Sequence, residues 1–511
     1  MVSYSNPIIS GFFPDPSICR VGGDYYLVTS TFEYFPGVAL LHSTDLVHFE
    51  HIGNVLTRAS QLDLEKTPSS FGIFAPTLRY HEGVFYLVTT NVGGGGNFYV
   101  TSTDPRGPFS EPVWLDDPTG VDPSLFFDDD GTVYYTRQGG AEIGGIYLSV
   151  LDLHRGRLLA PPKLVWTGSG GTWPEGPHLY KRGGFYYLLI SEGGTGYEHM
   201  LTVARAGSPF GPYEAYARNP VLSHRTRASH AIQATGHGDW VQTPDGNDFV
   251  VFLGIRPRNG RHHHLGRETF LAPMSWSEDG WPVVGSHGTV ELEMEAMGLP
   301  NSTAVAPTPT RDDFDSAKLA PFWSWVRTPR ASAFTLSEKP GVLRLFGTSA
   351  TLDEVAPQTF VGQRQRHFHV AVRARLAFTP RDDGSEAGLC LRANDDNHYD
   401  LVIARSGSSR TARLRLRIKG QTILAGAPLT LADGPLRLSI HATQERYDFA
   451  VQVEGHPEQV LGTAETTPLS SESAGTFTGV MIGMFACAKD GETAVPADFD
   501  WFEYVPAAEQ E

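Results

Sequence analysis

Cysteine is scarce, basic residues are outnumbered, and no apolar run approaches the length of a membrane span. Cys19, Cys390 and Cys487 are too few and too scattered for a disulfide framework or a thiolate metal cluster, so they read as buried thiols. Lysine and arginine total 40 against 57 aspartates and glutamates, and the net charge of −17 argues against nucleic acid or an anionic membrane as a partner. Few stretches carry a helical pattern. The opening residues, Met1-Val-Ser-Tyr-Ser-Asn-Pro-Ile8, have neither a basic segment nor an apolar leader core, which leads to the expectation of a cytoplasmic protein.

What is abundant points to β-structure. The chain has 511 residues with 55 glycines, 36 prolines and 11% aromatics, the make-up of a turn-rich all-β protein too long for one core. A unit recurs along its first half. Pro16, Pro76, Pro123 and Pro177 lie in Asp-Pro-Ser-Ile, Ala-Pro-Thr-Leu, Asp-Pro-Ser-Leu and Gly-Pro-His-Leu, and a degenerate fifth copy runs through His237-Gly-Asp-Trp240. Each is followed by a glycine, at Gly23, Gly83, Gly131, Gly184 and Gly246, and then by an aromatic and β-branched run such as Asp24-Tyr-Tyr-Leu-Val-Thr-Ser30 or Phe185-Tyr-Tyr-Leu-Leu-Ile190. The prolines are spaced by 60, 47 and 54 residues, room for four short strands each. The expected architecture is a five-bladed β-propeller over residues 1–297, with an ordinary sandwich of similar hairpins as the competing reading.

Gly298-Leu-Pro-Asn-Ser-Thr-Ala-Val-Ala-Pro-Thr-Pro-Thr310 reads as an extended linker. Beyond it, His367-Phe-His-Val-Ala-Val-Arg-Ala-Arg-Leu376 and Ala412-Arg-Leu-Arg-Leu-Arg-Ile418 alternate with period two. One face is buried and the other, bearing arginines, is wet, so residues 311–511 are expected to form a C-terminal antiparallel β-sandwich of the concanavalin or lectin type.

Three acidic signatures, Asp15-Pro-Ser, Asp122-Pro-Ser and Glu175-Gly-Pro-His, are expected at the same place in their repeats, where a ring of blades would bring them together. Inverting hydrolysis of a glycosidic bond needs one carboxylate to deprotonate water and one carboxylic acid to protonate the leaving oxygen. A lone Asp-Pro is commonly a turn cap, but acidic residues in three blades of five suggest a shared pocket. The run His262-His-His264 does not point to one side of a strand and is expected in a loop at the pocket rim.

Asn6-Pro-Ile-Ile-Ser-Gly-Phe-Phe-Pro-Asp-Pro-Ser-Ile18, Thr29-Ser-Thr-Phe-Glu-Tyr-Phe-Pro-Gly37, Val121-Asp-Pro-Ser-Leu-Phe126, Glu175-Gly-Pro-His-Leu-Tyr180, Ser191-Glu-Gly-Gly-Thr195 and Leu265-Gly-Arg-Glu-Thr269 together resemble glycoside hydrolase family 43, in particular its β-xylosidases and α-L-arabinofuranosidases. Pro496-Ala-Asp-Phe-Asp-Trp-Phe-Glu-Tyr504 resembles the ending of two-domain members. The resemblance implies an inverting, exo-acting enzyme that releases terminal β-D-xylose from xylo-oligosaccharides, α-L-arabinofuranosyl groups from arabinoxylan fragments, or both. Asp15 would be the general base, Glu175 the general acid and Asp122 the residue that orients the acid and tunes its pKa. It further implies that Arg267, Phe32, Phe35, Phe74, His237 and Phe477 meet the sugar, with phenylalanine at 74 where the xylosidase pattern has tryptophan. No cofactor is required. A structural calcium ion, held at the propeller axis through waters beside His237, is implied by the same resemblance, and a homo-oligomer is left open. A sugar-binding propeller without catalysis is the alternative function.

Overall fold

Every aromatic run behind a repeat glycine is a strand, and each lies inside an antiparallel sheet of four strands in three blades and five in the other two. The computed structural model describes residues 1–117, 119–140, 144–258, 260–301, 307–488 and 495–507. Blade one contains Ser17–Val21, Asp24–Thr29, Gly37–Ser43 and Glu50–Leu56. The strands behind the repeat glycines of the other blades are Val84–Val92, Val133–Gln138, Phe185–Glu192 and Asp248–Ile255. The hairpin before each demands a left-handed residue: Gly83, Gly131, Gly184 and Gly246 have φ of 82–85°, and in blade one Gly22 takes this role at 63°. The protein thus contains a five-bladed propeller.

Arg79 of blade two joins the first strands around the axis. Its Nη1 donates to Ser17 Oγ at 3.2 Å and Asp239 Oδ2 at 2.7 Å, and its Nη2 meets His178 Nδ1 at 2.9 Å. Ser124 Oγ of blade three also reaches His178 Nδ1, at 3.2 Å. The ring is closed by its ends, because Val2–Ser5 pairs with Glu293–Ala296 and the Asn6 amide exchanges two hydrogen bonds with the Leu271 backbone.

The second unit is a sandwich of two eight-stranded sheets. In Val370–Ala377 the residues Val370, Val372, Ala374 and Leu376 are buried, while Arg373 and Arg375 lie on the other face. The outward arginines of the facing sheet are paired as well as wet: Arg415 reaches Glu386 and Asp400, and Arg417 reaches Asp353. Of the expected linker, residues 302–306 lie outside the described residues.

The two units share one sheet. Tyr34–Phe35, from the loop between the second and third strands of blade one, pairs with Ser324–Val326 and forms the edge of the second sandwich sheet. This corrects the expectation for Phe35, which is buried in a hydrophobic cluster with Trp325 and Val361 and does not line the cavity where the three acidic signatures meet. Its position is set by a strand partner nearly three hundred residues away.

Candidate active site

Asp15 and Asp122 occupy equivalent places. Each immediately precedes the proline that opens its blade, and both adopt φ of 56°, a left-handed conformation that aspartate tolerates better than most residues. Glu175 departs from this register. In blade four the equivalent place is taken by Gly176, with φ of 58°, and Glu175 stands one residue earlier, where a register shift interrupts the pairing of Glu175–Arg182 with its neighbour. Gly176 is also confined by space, since a Cβ there would come within 3.0 Å of the His237 ring.

The three carboxylates nevertheless converge. Asp15, Asp122, Glu175, Thr195, His237 and Arg267 line a cavity of about 80 Å³, with Phe32, Phe74 and Phe477 as its apolar wall. Phe477 comes from the sandwich. Its ring centroid lies 5.9 Å from that of Phe32 and 6.2 Å from that of Phe74, so the second unit closes one side of the cavity.

Asp15 and Glu175 are driven to opposite protonation states. Burial works against ionisation of Asp15, but the Arg267 cation, His237 and the Ser30 hydroxyl together outweigh it and hold the carboxyl below its usual range. Arg267 Nη1 donates to Asp15 Oδ1 at 2.9 Å and Ser30 Oγ donates to Oδ2 at 2.6 Å. Desolvation pushes Glu175 well above the usual range, and the charges of Asp122 and Asp15 add to it. Asp122 is itself raised by burial. It accepts the Gly176 N–H at 3.1 Å, so it grips the backbone next to the acid. The cavity therefore offers an anionic base and a protonated acid at one pH.

Arg267, Phe32, Phe74, His237 and Phe477 all line the cavity as expected. The three histidines do not. His262 Nδ1 lies 3.0 Å from Ser470 Oγ, His263 Nδ1 lies 2.7 Å from Glu472, and His264 is buried against Phe368 and Tyr447, so this run joins the propeller to the sandwich and is no pocket rim. Sequence reasoning also passed over three neighbours. Ser30 holds Asp15, Thr195 accepts from Arg267 at 2.8 Å, and His199, which burial pushes down to about 3 and keeps neutral, places Nδ1 3.8 Å from Glu175 Oε1. Ser30 and Thr195 lay inside the family-like segments, but nothing in a hydroxyl residue alone distinguishes a pocket partner from a turn residue.

The residues around His237 do not fit a directly ligated calcium ion. Calcium takes six to eight oxygen ligands, whereas here an imidazole faces Asp15, whose oxygens already accept from Arg267 and Ser30. Among the described residues, Cys390, His398 and Asp400 of the sandwich do cluster at metal-ligand spacing, but both His398 nitrogens are engaged, by Asp400 at 2.8 Å and Asp353 at 3.1 Å.

Comparison with known proteins agrees with this geometry. The family model of glycosyl hydrolases family 43 matches residues 4–282, and that of the beta xylosidase C-terminal Concanavalin A-like domain matches residues 311–505. The chain is 46% identical over 506 residues to a non-reducing end alpha-L-arabinofuranosidase, BoGH43B, of Bacteroides ovatus, covering 98% of this chain and 94% of the relative. It is 39% identical to a xylosidase/arabinosidase of Butyrivibrio fibrisolvens, with 98% and 99% covered. The solved structure of GH43B from the Bacteroides ovatus xyloglucan PUL superposes with a TM-score of 0.95 at 45% identity, covering 99% and 100% of the two chains. That of xylan beta-1,4-xylosidase from Bacillus Halodurans C-125 superposes at 0.94 and 37% identity, covering 98% and 100%. The chain belongs to glycosyl hydrolases family 43 and is a glycoside hydrolase with a carbohydrate substrate.

Proposed function

We propose that the protein is an inverting, exo-acting glycosidase that removes terminal α-L-arabinofuranosyl groups, and with them terminal β-D-xylosyl groups, from hemicellulose fragments. The observation that carries this reading is the convergence of Asp15 and Glu175, oppositely biased in protonation, in one cavity walled by Phe477. Asp15 takes a proton from the attacking water, Glu175 donates one to the departing glycosidic oxygen, and the anomeric configuration inverts. Asp122 orients Glu175 through the adjacent backbone and keeps it protonated with its own charge. Arg267 fixes Asp15 and offers its remaining donors to sugar hydroxyls.

Exo action is supported by Phe477, which the sandwich sets against Phe32 and Phe74 so that one side of the cavity is closed. Phe74 in place of tryptophan, together with a 46% identical relative named an arabinofuranosidase, supports arabinofuranosyl groups as first choice. An axial calcium ion rests on family resemblance alone; it would sit against His237 through its own waters and takes no part in these steps.

The test is hydrolysis of p-nitrophenyl α-L-arabinofuranoside and β-D-xylopyranoside by the wild type, Asp15→Ala and Glu175→Ala, with proton NMR of the first anomer released. A large loss in Asp15→Ala, a smaller loss in Glu175→Ala because a nitrophenolate departs without a proton, and an inverted first product are expected. An inactive wild type that still binds sugar would turn the reading to the binding module, and a retained anomer would overturn the mechanism.

A further inference from the structure

Phe477 is a wall that the catalytic unit does not own, and it is not held by packing alone. It follows the short helix Ser471–Ala474, the residue is 41% exposed, and its ring meets Phe32 and Phe74 only at the distances given above. Its backbone is fixed more firmly. The Phe477 N–H donates to Ser70 Oγ at 3.0 Å, and the same hydroxyl lies 2.9 Å from Thr476 Oγ1. One serine of the blade-one to blade-two connection therefore grips two consecutive residues of the sandwich.

Ser70 is itself gripped. Its φ of 66° is left-handed, a conformation that a serine keeps only where its surroundings impose it. Its N–H donates to Glu33 Oε2 at 3.0 Å, while the preceding Ser69 hydroxyl donates to Asp395 at 2.8 Å. Glu33 lies between Phe32, which lines the cavity, and Tyr34, which belongs to the shared sheet, and Arg327 N donates to its carbonyl at 2.8 Å. Its side chain is completely buried, and Oε1 has no hydrogen-bond partner among the described residues. Burial pushes this carboxyl up to about 7; the Arg392 cation opposes the rise, and Asp395 adds to it. A buried carboxyl with one unsatisfied oxygen is costly for the fold, and the bond it does make leads, through one residue, to the pocket wall.

We infer that Glu33 and Ser70 are positioning residues that set where Phe477 stands in the cavity and so how tightly the terminal sugar ring is held. The inference rests on the glycosidase reading above for its link to KM, but the relay itself is read from sugar binding. Because Phe477 contacts the ring and not the breaking bond, its displacement weakens ground state and transition state together, which raises KM and leaves kcat near the wild-type value.

The experiment compares Ser70→Ala, Glu33→Ala, Glu33→Gln, Phe477→Ala and the Ser70→Ala/Phe477→Ala double variant by KM, kcat, thermal midpoint and calorimetric binding of L-arabinose and D-xylose. Ser70→Ala and Glu33→Ala are expected to raise KM and monosaccharide Kd about three- to tenfold, the effect of one hydrogen bond. Glu33→Gln keeps an acceptor for the Ser70 N–H and is expected to restore most of the wild-type value. In the Phe477→Ala background, Ser70→Ala is expected to add nothing. Equal effects of Ser70→Ala with and without Phe477, or a lowered midpoint with KM and Kd unmoved, would overturn the relay. If Glu33→Ala does not fold, Ser70→Ala decides alone. A wild type that hydrolyses neither glycoside counts against the proposed function, and the relay is then judged by monosaccharide binding.

Discussion

The backbone N–H of Gly176 donates to Asp122 Oδ2 at 3.1 Å, which ties one carboxylate to the residue that follows another, Glu175. Asp122 thereby acts on the acid in two ways, through position and through charge. Replacement by asparagine keeps an acceptor for Gly176 but removes the negative charge that helps to raise Glu175. Because Glu175 must be protonated to act, the alkaline limb of kcat/KM should move to lower pH in Asp122→Asn, as measured by pH–rate profiles on an arabinofuranoside. An unmoved limb would remove Asp122 from the tuning role.

Arg267→Met should shift the opposite limb. Without the cation, burial of Asp15 is less opposed, so its carboxyl rises and the base ionises only at higher pH. The acid limb should therefore move to higher pH, with kcat/KM lower by about ten- to hundredfold from the lost charge-assisted bond.

Leaving groups separate the two catalytic carboxylates. A nitrophenolate departs without a proton, whereas a sugar hydroxyl does not. Glu175→Ala should therefore lose much more activity on xylobiose than on p-nitrophenyl xyloside, while Asp15→Ala should lose about 10²–10⁴-fold on both. Similar losses of Glu175→Ala on both substrates would argue against its role as acid.

Arg79→Met tests the axis of the ring. The guanidinium pairs with fully buried Asp239, and removing it leaves that carboxylate uncompensated, at a cost of about 3–5 kcal/mol. Burial opposes ionisation of Asp239, but Arg79 and His178 overcome it and hold the carboxyl far below its usual range. Its stabilising contribution is thus complete above the unfolded carboxylate's pKa of about 3.9 and is lost as pH falls below it. Urea unfolding at several pH values should show the wild type and Arg79→Met converging in acid.

Blade number and the strand behind each repeat glycine could be read from the chain because the repeat is local. Each proline, glycine and aromatic run lies within one hairpin, and Asp15 and Asp122 inherit equivalent positions directly from it. What escaped reading depends on distant partners. Phe35 looked like a pocket aromatic beside Phe32, yet pairing with Trp325 turns it into the shared core. His262–His264 looked like a rim because nothing in the local sequence announces Ser470 and Glu472. Glu175 lines the cavity with Asp15 and Asp122 but one residue out of register, since the offset comes from a strand irregularity that composition does not encode.

The two residues Tyr34–Phe35 have a consequence for how this architecture can be divided. Severing the chain between its halves would expose a raw sheet margin on one fragment, strand an aromatic pair on the other, and open the sugar chamber where Phe477 had stood. The halves thus share both a sheet and a cavity, and exchanging the rear half for that of a cousin would also exchange Phe477.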